Sequence, residues 1–329
     1  MTIRRILLIF AALVAASLAV PATAAQAARS SASCGKTIAT DTVLRADVTG
    51  CAGSALVIGA DGVTLDLDGH TVEGAIVANG RSGVQVRDGV VRGDLRFERV
   101  RHATVRKLRV RGGSISCLRS AGCSVLRSSV AGGGIAIVQS ESGIANRVRG
   151  NIVRAAPGAG ITADRTDTTS ITGNVVRDSA VGIEASHAAD LRIARNLIVH
   201  SSGDGISGSF GSAAAIVHNV IASNGGDGIS LRIWGGLTLI AGNVITRNGG
   251  DGILGSAVAH WVVVRNVADR NGKTGLTIAG AAEDVTLARN RARRNAALGI
   301  DAAPTVIDGG GNAASGNGAF AQCAGIACL

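Results

Sequence analysis

The sequence predicts an all-β parallel solenoid, and three observations predict it. An Asn followed by a branched apolar residue returns at Asn151, Asn174, Asn196, Asn219, Asn243 and Asn266, in steps of 23, 22, 23, 24 and 23 residues. A Gly-apolar pair keeps the same beat at Gly160, Gly182, Gly205, Gly228, Gly252, Gly275 and Gly299. Within one period, such as Gly228 to Asn248, three short β-branched runs are separated by Gly, Asn or Ser, and each is too brief for a helix. Self-similarity at this period is the mark of stacked coils. Coils of three strands stack at about 4.8 Å. Their interior then fills with columns of like side chains, and an Asn at each bend hydrogen-bonds to the Asn above and below. Gly before each Ile is expected to supply a backbone angle closed to other residues.

Residues 1–24 read as an export signal: Arg4 and Arg5, an apolar run from Ile6 to Val20, and a small-x-small site at Ala22-Thr23-Ala24. The run is short for a membrane span, which needs about 20 residues. Residues 25–60 are expected to form an N-terminal cap, 61–312 the solenoid, and 313–329 a C-terminal cap. The first half is less regular, but GVTLDLDGHTVEG (62–74), GVQVRDGVVRG (83–93) and ATVRKLRVRGG (103–113) have the texture of shorter coils. The whole solenoid has room for roughly eleven coils of about 19–24 residues.

Six cysteines fit an oxidising compartment. Sequence proximity favours Cys34–Cys51, Cys117–Cys123 and Cys323–Cys328. The first and last pairs would staple the two ends, where open strand edges must be covered. No Cys-x-x-Cys or Cys/His cluster has zinc spacing.

The chain carries 33 Lys+Arg against 23 Asp+Glu. Loss of Arg4 and Arg5 with the leader lowers the formal charge from +10 to +8. Residues 81–111 are the densest basic stretch. Aligning successive coils there stacks Arg87 near Arg106 and Arg92 near Arg111. Stacked like charges repel, and a polyanion relieves the repulsion. The plainer reading is a solvated face whose Arg stems cover apolar surface.

The repeat resembles the right-handed parallel β-helix superfamily of pectate lyases, polygalacturonases and alginate epimerases. CGKTI (34–38), GADGVTLDLDGHTVEG (59–74) and DGGGNAASGNGAFAQCAGIAC (308–328) resemble secreted bacterial β-helix repeat proteins without an assigned activity. The resemblance implies a substrate lying along one strand face. The catalytic signatures of those families (Trp-Ile-Asp-His, Asn-Thr-Asp, Asp-Pro-His-Asp) are missing, so no residue role is carried over.

On the strand that follows each Gly, Asp204, Asp227 and Asp251 precede the Gly on three consecutive coils, with Lys273 at the same edge one coil on. Three acids about 5 Å apart can hold Ca²⁺, raise one another's pKa or act as an acid/base pair, and Asp227, Asp251, Lys273 and Arg232 can together supply a cation site for a uronate and a Lys or Arg base. Asp in a Gly-Asp-Gly bend can equally cap its own turn. Glu184 with His187 is a second acid/base pair. Phe210 and Trp234, with His187, are expected to stack on adjacent coils as a sugar platform, the alternative being aromatics that plug a coil corner.

The expected function is that of a secreted, monomeric protein engaging an extracellular, acidic polysaccharide, as a lyase or hydrolase. The rival is a non-catalytic binding protein that uses the 81–111 face. Nucleic acid is disfavoured, for want of a reader motif and stacking aromatics. No membrane contact is expected once the leader is cleaved.

Overall fold

The computed structural model describes residues 28–30, 33–140 and 143–329. The leader expected over residues 1–24 lies outside them. The described chain contains strands and no helix, wound into a right-handed parallel β-solenoid of about 12 turns. That is one turn more than the sequence suggests, because short strands such as Lys36–Ile38 and Thr42–Leu44 inside the expected cap already stack as coil.

Each coil contributes to three parallel faces. Face A stacks Ile161 on Ile183, Ile206, Ile229, Ile253, Leu276 and Ile300. Face B stacks Val148 on Ile171, Ile193, Ile216, Ile240 and Val263. Face C stacks Val153 on Val176, Ile198, Ile221, Ile245 and Ala268. These columns point inward and are fully or almost fully buried. Burying a Val or Ile side chain contributes roughly 1.5–3 kcal/mol, so the columns lock the register of every coil.

The Asn column lies at the bend between faces B and C. Asn219 shows the pattern. Its Nδ2 donates to Ile193 O and to Asn243 Oδ1, both at 3.0 Å, and its Oδ1 accepts from the backbone N–H (2.9 Å) and Nδ2 (3.0 Å) of Asn196. The ladder runs on through Asn266 and Asn290 to Asn312. A second ladder, Asn224–Asn248–Asn271–Asn295–Asn317, follows face C and closes on Gln322.

Gly at the head of face A has a different reason from the one expected. Gly205 does not have a positive φ. A Cβ there would lie 2.7 Å from Gly228 O and 3.0 Å from Asn224 Nδ2, so close coil stacking excludes a side chain. Positive φ is found instead at the corners that end each face, and it falls mostly on non-glycine residues. Arg, Lys and His fill many of them, including Arg127, His187, His218, Arg270 and Arg294.

The pairs Cys34–Cys51, Cys117–Cys123 and Cys323–Cys328 are all disulfides. The first and last lie near the two ends of the solenoid.

Candidate functional site

The three stacked acids turn toward the backbone of the next coil. Asp204 Oδ1 accepts from Asp227 N and Asp227 Oδ1 from Asp251 N, each at 2.7 Å. Asp251 Oδ1 accepts from Thr274 N at 2.8 Å. Each carboxylate therefore caps an amide at the edge of face A. Burial, reinforced by the neighbouring Asp227 charge, pushes the carboxyls of Asp204 and Asp251 up from the usual value, against the hydrogen bonds and the pull of Arg232 and Lys273. The acids expected to share Ca²⁺ do not gather around one point. Among the described residues no group of three or more His, Cys, Asp or Glu side chains could hold a metal ion. The column spends one oxygen of each acid on a separate amide instead of converging on a cation, which needs six to eight oxygens.

The outer surface of face A gathers part of the expected constellation. Glu184 stands beside Thr162 and Ser207 on adjacent coils, and Arg232 beside Ser209 and Ser256. His187 and Phe210 stack with ring centroids 5.3 Å apart and planes 14° apart. Asp164 Oδ1 lies 3.7 Å from His187 Nδ1. No hydrogen bond or ion pair joins Glu184 to His187 among the described residues. Trp234 departs from the expected platform. It is 1% exposed and points into the coil, where its carbonyl accepts the indole N–H of Trp261 at 3.1 Å. Gly208 and Gly211 make its room, since a Cβ on either would run into the indole ring. A Gly where the interior column holds Ala163 and Ala185 was the sequence signal for an inward Trp.

The basic face has the expected register, with Arg87 opposite Arg106. Its charges are not all free. Arg87 pairs with Asp66 at 2.7 Å and Asp88 at 3.1 Å, and Arg92 with Glu73 at 3.2 Å. Lys107 reaches Asp88 at 3.8 Å. Arg111 ends the face-C strand beside Ala131. Arg106 lines two cavities. One, of about 200 Å³, includes Asp41, Asp66 and Arg87. The other, of about 400 Å³, is walled by Arg106, Lys107, Leu126, Arg127, Arg149 and Gly150, with no acid in its lining. The buried Nε atoms of Arg87 and Arg106 have no hydrogen-bond partner in the protein. Lys107 lies within the basic stretch 81–111 that the sequence marks, whereas Arg127 and Arg149 lie outside it. Lys107 and Arg127 sit at positive-φ corners, where residue type gives no warning of the geometry.

Three parallel faces around columns of stacked aliphatics, with stapled ends, define a right-handed parallel β-helix protein. In keeping with this, residues 159–319 match the right handed beta helix region. The chain belongs to the family described as periplasmic copper-binding protein (NosD), which it matches over residues 61–236. No curated protein sequence matches it. Among solved structures it is similar to the periplasmic alginate epimerase AlgG, at 17% identity over 88% of this chain and 74% of that one, with a TM-score of 0.54. A point mutant of that epimerase aligns with a TM-score of 0.62 at 15% identity, over 88% of this chain and 78% of that one. Tailspike protein 3 of bacteriophage CBA120 aligns at 11% identity with a TM-score of 0.52, over 89% of this chain and 54% of the phage protein. At these identities the likeness is one of fold.

The described residues do not fit copper. Copper sites favour His imidazole, Cys thiolate and Met thioether. All six cysteines are spent in disulfides. His70, His187 and His260 each face a single Asp one coil away, Asp47, Asp164 and Asp284 respectively.

Proposed function

We propose that the protein is an extracytoplasmic binder of an acidic polysaccharide, held along the corner between faces B and C. The observation that carries this reading is the cavity of about 400 Å³ walled by Arg106, Lys107, Arg127 and Arg149 without a lining carboxylate. Its cations come from successive coils, so they repeat along the solenoid axis at about 4.8 Å. That spacing suits a single extended chain with one charge per sugar. A DNA duplex presents a phosphate about every 1.7 Å of axis, and the corner offers neither that charge density nor stacking aromatics. The periplasmic alginate epimerase of the same fold lends the polysaccharide reading support.

The test is calorimetric titration with mannuronate and guluronate oligomers across a salt series. Affinity should fall steeply with salt. Arg127→Ala and Arg149→Ala should each weaken binding several-fold. Salt-independent binding, or variants that bind like the parent, would refute the reading.

A second reading, a lyase or hydrolase on face A, draws on the exposed His187–Phe210 stack beside Asp164. It keeps Glu184, His187 and Arg232 as working groups, with Asp204, Asp227, Asp251 and Lys273 at the edge of the groove. New ultraviolet absorbance from an unsaturated uronate, or new reducing ends, would favour it. An inert polysaccharide panel would leave binding alone.

A further inference from the structure

A second basic cavity lies near the other end of the solenoid, at the corner that ends face C. It encloses about 370 Å³ and is lined by Asp269, Arg270, Arg291, Arg293, Arg294, Ser315 and Gly316. Asp269 is the single acid, and it is fully used. Its Oδ2 accepts from Arg291 Nη2 at 2.7 Å and its Oδ1 from the Arg293 backbone N–H at 3.1 Å. Arg291 is thereby fixed in place. Arg270, Arg293 and Arg294 have no carboxylate partner among the described residues.

Two of these arginines occupy costly backbone. Arg270 and Arg294 stand at φ 57° and 56°, one above the other at the corner, and the next coil fills the same position with Gly316 at φ 65°. Glycine adopts that angle without strain. Arginine there is strained, as it is at other corners such as Arg127, Arg247 and Arg265, so it is the cavity and not the backbone angle that sets these two apart. Nothing in the packing asks for the arginines, since the corner is external and Gly316 satisfies it. What they add is charge.

We propose that this cavity is a site for a compact tetrahedral oxyanion, a phosphate that arrives either free or as a monoester on a sugar. Three unpaired guanidiniums around one space are poorly neutralised by a single carboxylate. A phosphate monoester brings about 1.5–2 negative charges and three acceptor oxygens, and guanidinium forks match phosphate geometry in bidentate fashion. The volume leaves room for a sugar unit beside the phosphate. The inference is independent of the polysaccharide reading, because its residues and its corner are different.

The test is calorimetry on the purified protein at fixed ionic strength with inorganic phosphate, glucose 6-phosphate and glucuronate. Both phosphates should bind and glucuronate should bind at least tenfold more weakly. A tighter glucose 6-phosphate identifies the ester as the natural form, and equal affinities identify the free ion. Arg294→Gly should cut phosphate affinity at least tenfold without lowering the melting temperature, because glycine relieves the corner. Arg265→Gly removes the same charge at another positive-φ corner outside the cavity, and it should leave affinity unchanged. The proposal is overturned if glucuronate binds as well as phosphate, if Arg294→Gly binds like the parent, or if Arg265→Gly weakens binding equally.

Discussion

Removing one rung of the first Asn ladder should cost far more than a surface mutation. In Asn219→Ala four side-chain hydrogen bonds disappear: two donated by Nδ2, to Ile193 O and Asn243 Oδ1, and two accepted by Oδ1 from Asn196 N and Nδ2. Asn196 is 2% exposed and Asn219 1%, so water cannot readily replace the partners. Two buried donors on Asn196 are orphaned. At about 1–3 kcal/mol for each unsatisfied group, the variant should lose about 3–5 kcal/mol. The assay is urea unfolding followed by circular dichroism, paired with amide hydrogen exchange at Asn196. Stability in stacked repeats is close to a sum of neighbour terms, so protection should fall first in the two flanking coils. A loss below about 1 kcal/mol, or unchanged protection at Asn196, would refute the ladder as a stabilising spine.

Other outcomes follow from the same structure. Asp227→Ala removes an amide cap and should cost about 1 kcal/mol, whereas Asp227→Asn keeps an acceptor and should be nearly neutral. Calcium should change the melting temperature of neither; a calcium-dependent rise in the parent that is lost in Asp227→Asn would restore the metal reading. Burial raises the carboxyl pKa of Asp204 and Asp251 above the ordinary 3.8, so the folded state holds those protons more tightly than the unfolded chain. Stability from these two groups is therefore greatest below about pH 4 and is lost as pH rises through their folded values. Asp204→Asn with Asp251→Asn should flatten that slope and stabilise the protein at neutral pH, and an unchanged pH profile of unfolding would contradict it. Asp308 works the other way: amide hydrogen bonds from Gly310 and Ala327 lower its pKa, so its contribution fades as pH falls below the usual carboxylate range. Loss of Cys34–Cys51, which closes a loop of sequence separation 17, should cost about 3 kcal/mol in the chain-entropy account; an unaltered unfolding midpoint in the double serine variant would oppose that.

The coil repeat was legible because stacking is unforgiving. One interior column and one Asn column per coil must recur in register, so Ile206, Ile229 and Ile253 announce themselves along with Asn219 and Asn243. The second ladder was also written in the chain, as the Asn-Gly steps at Asn224, Asn248 and Asn271, but its turn-like composition hid a buried role. Trp234 was hard to place because Gly208 and Gly211 show in the sequence as glycines, and only the stacked coils show that they open the interior beneath its ring. The corners were the least legible. Positive φ is normally the province of Gly and Asn, so Arg127, Arg270 and Arg294 gave no hint that the fold holds them out on strained bends. The candidate cation sites therefore became visible only once the coils were stacked.

The Asn ladders also have a direction. In every rung the amide of one coil donates to the oxygen of the coil that follows it in the chain. A growing chain that winds from its N-terminal end thus presents a last coil with unspent donors, ready to take the next. The run stops only where the acceptor asks for no successor. Gln322 Oε1 receives Asn317, and Gln322 Nε2 bends back to Ala319 O at 2.7 Å. The Asp308 carboxylate receives Asn312 Nδ2 at 3.2 Å. Both terminators are encoded within the last 22 residues. Up to those acceptors each coil leaves donors for the next to meet, so Asp308 and Gln322 close the two ladders as well as covering an edge.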